Sequence, residues 1–221
     1  MNSILRIRLD TTPDQNLKLK QLQLAFAEVC NALAPIVQRT RCWNRVALHH
    51  LAYRAMRQQF PQVGSQMVCN ALYSVSRVSR FVYQHPDSLF NLQRLAGKPL
   101  PCLRFLPESP VYFDRHTLSL KQGAASMYTL DGRMRFNLPL APDDELRFRT
   151  LRLREIVMLA KGDRFELQFS FQDPAASADD LEKPIVGANQ DVSEYLLVLD
   201  GTPARADHAT ASQPLASALN S

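Results

Sequence analysis

Apolar and polar residues alternate at the start of the chain, and the pattern then changes to a helical period. Residues 3–9 alternate in the manner of a short strand. Apolar side chains then recur at three- and four-residue steps, which predicts a helix over 13–38 with one core-facing stripe: Leu19, Leu22, Phe26, Val29, Leu33 and Ile36. The residues before this helix, Thr12, Pro13 and Gln15, have the spacing of a helix start with a capping box.

Two further helices are predicted over 43–60 and 65–84. The first ends before Pro61, and its expected inward face consists of Leu48, Leu51, Ala55 and Met56. Arg54 and Arg57 fall on another face of that helix. The second begins after Gly64, and its expected buried stripe consists of Val68, Leu72, Val75, Ser79 and Val82.

The 65–84 helix carries a second stripe at the same spacing, made of Asn70, Tyr73, Arg77, Arg80 and Gln84. This stripe combines two cations, one aromatic ring and two amides, and it contains no acid. Such a mixture suits contact with phosphates and bases. A solvated helix face is the alternative interpretation of the same residues, and the sequence leaves both open.

Beyond residue 90 the pattern changes to short strand-like runs separated by turns. The runs cover 111–113, 117–120, 125–130, 135–138, 146–149, 156–160 and 164–171. Two dipeptides between them, Asp131-Gly132 and Gly162-Asp163, are hairpin signals. Evenly spaced short strands predict a small antiparallel barrel or sandwich.

We therefore predict an α+β fold in which a helical bundle, 13–90, is inserted into a small antiparallel β-barrel formed by 1–12 and 91–172. Polar residues 173–183 are expected to form a linker. A strand, a turn and a second strand are expected over 184–201. Residues 202–221, rich in Ala, Ser, Thr and Pro, are expected to form a disordered tail.

Charge is distributed unevenly along the 221 residues. Residues 1–100 contain 13 Lys and Arg against 4 Asp and Glu, a net charge of +9, whereas residues 101–221 carry a net charge of −4. Of the 26 basic residues, 20 are arginines, whose planar guanidinium suits paired contacts with phosphate. A basic half of this kind favours a polyanionic partner.

Other kinds of site find little support in the sequence. The four cysteines have no C-x-x-C spacing, the five histidines supply no H-x-x-x-H set, and the seven glycines are too far apart for a phosphate loop. No cofactor or metal is therefore expected. Because there is no apolar run of about 18 residues and no secretory leader, we expect no membrane contact and a cytoplasmic location.

The order of these parts resembles the N-terminal half of the TnpB (OrfB) proteins of insertion sequences and of the related compact type V CRISPR effectors. The resemblance covers residues 3–201 and rests on the order of its pieces: the opening strand, 51–61, 65–68, 71–83, 111–120, 130–133 and 165–169. In that family a helical recognition domain is inserted into a strand-rich wedge domain, and a RuvC nuclease follows. The resemblance implies a wedge-like barrel here, and the first hairpin of a RuvC domain over 184–201.

Residues 186–201 align with the family's first nuclease strand, V-G-I-D-L-G-x-x-x-L-A-x-x-x-D-G. The family's metal-binding Asp falls on Asn189, whose neutral amide is a poorer ligand for magnesium than a carboxylate. Asp191 would lie on the same strand face as a replacement. The other carboxylates of a RuvC site find no counterpart in the residues that follow. The resemblance thus implies a degenerate metal site at Asn189, and no enzymatic activity.

Two hypotheses about function follow. The first is a nuclease-inactive protein that binds a guide-type RNA and a short motif in double-stranded DNA, for targeting or repression. Its candidate contact residues are Arg54, Arg57, Tyr73, Arg77, Arg80, Lys121, Arg133 and Arg135. The second is a subunit of an effector or transposition complex, in which a partner protein covers 184–201 and completes the nuclease. An enzyme acting alone and a decayed remnant are the weaker alternatives.

Overall fold

The computed structural model describes residues 2–121, 123–173, 197–199 and 202–203. Strand β1 (Asn2–Leu9) comes first and is followed by four helices: α1 (Pro13–Thr40), α2 (Arg45–Gln59), α3 (Ser65–Gln84) and α4 (Leu92–Leu95). The remaining elements are β2 (Leu103–Phe105), β3 (Val111–Phe113), β4 (Leu118–Lys121), β5 (Ala124–Thr129), β6 (Gly132–Asn137), α5 (Pro142–Thr150), β7 (Arg152–Lys161), β8 (Arg164–Gln172), β9 (Leu197–Leu199) and β10 (Thr202–Pro203).

The described strands form three antiparallel sheets. Their strand orders are β1-β8-β7-β3, β4-β5-β6 and β10-β9-β2. In the largest sheet, β7 and β8 form a long hairpin whose turn contains Gly162 at φ 61°, a conformation that glycine adopts without strain. β1 pairs with β8 along its whole length, with Leu9 opposite Phe165.

The prediction of an α+β fold is confirmed, whereas the described residues do not form the expected closed barrel. The four-stranded sheet ends at β1 on one side and at β3 on the other, and no ladder joins it to the β4–β6 sheet. A barrel requires every strand to have two neighbours. Even spacing of short strands predicted the antiparallel pairing correctly, but it carries no information about whether a sheet closes.

The helices follow their sequence signals closely, with one exception. The Thr12 Oγ1 atom accepts a hydrogen bond of 3.3 Å from the backbone N–H of Gln15, whose side chain accepts one of 3.0 Å from the N–H of Thr12. α3 has the predicted bounds. The inward face of α2 differs from the prediction, because the buried residues are Leu48, Ala52 and Met56, whereas Leu51 and Ala55 are exposed.

Residues 146–149 form part of α5, so the prediction of a strand there is wrong. Pro142 occupies the first helical turn, with acidic residues beside it and arginines in the last turn, and this arrangement complements the helix dipole. Phe148 then packs edge-on against Phe169 and Phe171, with ring centroids 5.1 and 4.9 Å away. The alternation over 146–149 thus comes from one aromatic residue, Phe148, which packs inward from a short amphipathic helix.

One hydrophobic core includes residues from both the helices and the strands. Phe26 and Met67 of the helices belong to the same buried cluster as Met158 and Phe169 of the large sheet. α1 is also tied to β2, because the side chain of Asn31 bonds both the N–H and the C=O of Phe105, at 2.7 and 2.9 Å. The division into a helical and a strand-rich domain stays a prediction.

The C-terminal segments are described only in part. Of the strand–turn–strand expected over 184–201, the structure describes β9, which pairs with β2 and β10. Thr202 and Pro203, the first residues of the expected tail, form β10. Asn189 and Asp191 lie outside the described residues, as does the linker after Asp173. No helix in the described part of the chain is long and apolar enough to cross a membrane.

Candidate nucleic-acid interface

The β4–β6 sheet has an apolar inner face and a polar outer face. Inner residues such as Met127 and Phe136 belong to the core. Residues paired across neighbouring strands point to the same side of a sheet, so the strand register defines the outer face: Ser119, Lys121, Ala124, Ser126, Tyr128, Arg133, Arg135 and Asn137. None of these eight residues is acidic. The structure thus brings three sequence-predicted residues, Lys121, Arg133 and Arg135, onto one surface.

Arg133 is held across all three strands of this sheet. Its Nε donates to the Ser126 hydroxyl at 3.0 Å, and its Nη2 donates to the Ser126 carbonyl at 2.6 Å and to the Ser119 hydroxyl at 3.3 Å. Its Nη1 donates to the carbonyl of His116 at 3.0 Å. Arg133 therefore organises the surface through its hydrogen bonds, and it is exposed like its neighbours Lys121 and Arg135.

The start of α3 lies against the outer face of this sheet. The N–H of Gly64 donates to the Tyr128 hydroxyl at 2.7 Å. Two residues further on, the Gln66 amide donates to the Asp114 carboxylate in the turn before β4. Arg115 in that turn is exposed, and its Nε lies 3.3 Å from the Nε2 of His116. The turn thus adds a cation at the point where helix and sheet meet.

The end of α2 extends this surface through the loop between α2 and α3. Arg57 is half-buried, and its Nη1 donates to the carbonyls of Phe60 and Val63, the residue before Gly64. Arg54, one helical turn earlier, is exposed. We call the resulting surface the basic track; its residues are Arg54, Arg57, Arg115, Lys121, Arg133 and Arg135.

Two acidic residues lie in the turns of this surface. The carboxylate of Asp114 accepts hydrogen bonds of 3.0 Å from the backbone N–H groups of both His116 and Thr117, besides the one from Gln66. Its oxygens are therefore engaged in shaping the turn. Asp131 is exposed in the turn between β5 and β6. The six arginine and lysine side chains of the basic track outnumber the carboxylates of these two turns.

The second stripe of α3 does not form a continuous exposed surface. Asn70 is buried and donates to the Thr117 hydroxyl at 3.2 Å. Tyr73 and Arg77 both bond the carboxylate of Glu155 on β7, and the Arg77 Nη1 also donates to the Tyr73 hydroxyl at 3.2 Å. The remaining two, Arg80 and Gln84, are exposed. The stripe as a whole is therefore neither one continuous surface for phosphates and bases nor one solvated helix face.

Tyr73 lies in a crowded, charged environment. Burial, followed by the negative charge of Glu155, raises the pKa of its hydroxyl to about 12, and Arg77 opposes this rise. The ring meets Tyr112 edge-on at 5.5 Å, and the Arg45 guanidinium carbon lies 5.4 Å from the ring centroid. Tyr73 therefore joins α2, α3 and the large sheet.

Sequence reasoning missed three residues at these sites: Arg45, Arg115 and Glu155. Arg115 could have been found, because it follows Asp114 in a D-x-x-T turn. The Asp and Thr side chains form the hydrogen bonds of such a turn, and the two side chains between them stay exposed. Arg45 and Glu155 gain their roles only from packing between distant elements. In the described part of the chain, no three His, Cys, Asp or Glu residues are grouped so that they could hold a metal ion.

No protein-family model matches this chain, and no curated protein matches it with significant similarity. The resemblance to the TnpB proteins therefore stays a prediction, as does a partner protein covering 184–201.

Proposed function

We propose that this protein binds a structured nucleic acid through the basic track and does not cut it. The observation that carries the proposal is the joining of six cationic side chains from α2, the turn before β4 and the β4–β6 sheet into one surface. Phosphate contacts made by such a surface supply affinity independently of base sequence. None of the Phe, Trp or Tyr side chains in the described residues is fully exposed, so phosphates rather than stacked bases are the main ligands expected.

The resemblance to the TnpB family supports a more specific version of this proposal. A guide-type RNA would occupy the basic track, and Arg80 at the exposed end of α3 would be available to a short motif in double-stranded DNA. Asn189 in place of a metal-binding Asp supports binding without cleavage. The protein would then serve in targeting or repression, in the cytoplasm.

Fluorescence anisotropy with a labelled RNA hairpin of about 20 base pairs tests the proposal. Lys121→Glu with Arg135→Glu should weaken binding at least tenfold. It should also reduce the slope of log K against the logarithm of salt concentration by about two. Neither side chain supports the core, so thermal unfolding should be unchanged.

Arg94→Glu with Lys98→Glu is the matched control. The charge change is the same. Both residues are exposed and lie beyond the far end of α3, a helix of 20 residues whose length is about 30 Å. Binding by this control should stay close to that of the unmodified protein. Equal loss in the two double variants would mean that only net charge matters. Absence of binding by the unmodified protein, even at low salt, would overturn the proposal.

A further inference from the structure

A carboxylate from the large sheet is bound by cationic and phenolic groups of α3. The Arg77 guanidinium and the Tyr73 hydroxyl both bond the same oxygen, Oε1, of Glu155. The side chains of Arg77 and Glu155 are 19% and 11% exposed, so the pair lies close to the surface without being fully solvated. An ion pair in this position is stronger than an exposed one, because water screens it less.

The surroundings of Glu155 on the helical side are cationic. Arg45 is exposed at the start of α2 and lies over the Tyr73 ring, and Arg80 is exposed one turn after Arg77. Neither α2 nor α3 contains an acidic residue. The carboxylate that meets Arg77 thus comes from another element, and its removal would raise the positive charge along the edge that Arg45, Arg77 and Arg80 share.

We propose that Tyr73, Arg77 and Arg45 form a second anion site, which Glu155 occupies as an internal competitor for a phosphate of the bound nucleic acid. A phosphate oxygen accepts the same hydroxyl and guanidinium hydrogen bonds as a carboxylate oxygen. Glu155 is held next to the site by β7, so its effective concentration is high. A phosphate therefore reaches Arg77 only when the rest of the nucleic acid is already held. This inference rests on the proposed function.

Glu155→Gln tests the competition, because the amide keeps the shape and an acceptor oxygen while it removes the charge. In the anisotropy assay with the RNA hairpin, this variant should bind about three- to tenfold more tightly. The slope of its log K against the logarithm of salt concentration should steepen by about one, since one further phosphate is contacted. Inorganic phosphate should compete more effectively for the variant than for the unmodified protein.

Glu166→Gln is the matched control for long-range charge. Glu166 lies on β8, opposite Arg8 and Leu159, and on the same face of the large sheet as Glu155. Its neutralisation changes the net charge equally, but it releases no α3 arginine. This control should leave the salt dependence unchanged.

The double variant Glu155→Gln with Arg77→Gln identifies the site. Its affinity should return to that of the unmodified protein, and a gain that persists without Arg77 would overturn the inference. So would equal binding by Glu155→Gln and the unmodified protein. Should Glu155→Gln fail to fold, Glu155→Asp keeps the charge but withdraws the carboxylate from Arg77 and Tyr73 by one methylene, and it should give a smaller gain in affinity. No gain in that variant would also overturn the inference, whereas failure of the unmodified protein to bind would overturn the proposed function itself.

Discussion

The backbone N–H of Gly64 and the hydroxyl of Tyr128 form a hydrogen bond of 2.7 Å that joins the start of α3 to the outer face of the β4–β6 sheet. A Cβ atom at position 64 would lie 3.0 Å from both the Cε2 and the hydroxyl oxygen of Tyr128. The backbone of Gly64 has φ −57°, which any residue adopts. Glycine is therefore needed here for close approach, and this approach makes the basic track continuous.

Substitution of Gly64 should consequently destabilise the contact between helix and sheet. Gly64→Ala should lower the free energy of unfolding by about 1–2 kcal/mol, because the new methyl group displaces the Tyr128 ring. Urea denaturation measures this loss. In a Tyr128→Ala background the same substitution should cost much less, since the obstructing ring is gone. Strictly additive losses in the double variant would show that the ring is not the obstacle.

Arg133 and Arg135 are two residues apart on β6, yet they should behave differently. Arg133→Met removes four hydrogen bonds that span three strands, and it should cost about 1–2 kcal/mol of stability. Arg135→Met should cost less than about 0.5 kcal/mol, as expected for an exposed side chain, while it weakens RNA binding. Thermal unfolding and anisotropy on both variants separate these effects. A larger stability loss for Arg135→Met would contradict the assignment of Arg133 as the organising residue.

Charge reversal at Arg77 should damage the fold as well as any binding. The sequence predicts Arg77 and Arg80 as equivalent contact residues, but Arg77→Glu would place a second carboxylate against Glu155. We expect it to lower the free energy of unfolding by about 3–5 kcal/mol. The paired variant Arg77→Glu with Glu155→Arg should recover part of this loss, whereas Arg80→Glu should leave stability unchanged. Urea titrations of the three proteins provide the measurement.

The sequence predicts individual elements better than their arrangement. The capping box at Thr12 and the buried stripes of α1 and α3 depend on local sequence, and they occur as predicted except that Ile36 of α1 is only half-buried. Strand pairing between β1 and β8 joins residues more than 150 positions apart, and no local signal encodes that distance. For the same reason, the number of sheets and the absence of closure could not be derived from strand spacing.

The candidate site shows the same limit. Arg135 was recognisable as an exposed strand residue, because alternation along β6 places it on the opposite face of the strand from buried Phe136. Tyr73 and Arg77 also belong to a regular stripe, but Glu155, which binds both, lies 78 residues after Arg77. A helical period indicates which residues share a face, and it does not indicate what packs against that face.

The raised pKa of Tyr73 predicts a loss of stability in alkaline solution. The hydroxyl ionises at a pKa of about 12 in the folded protein and at about 10 in an unfolded chain. Below pH 10 both states keep the proton, so this group causes no change in stability with pH. Between pH 10 and 12 the unfolded state releases it first, and the free energy of unfolding should fall by about 2–3 kcal/mol in total. Urea titrations across this window should show the decline, and Tyr73→Phe should decline less by that amount. Parallel curves for the two proteins would contradict the assignment.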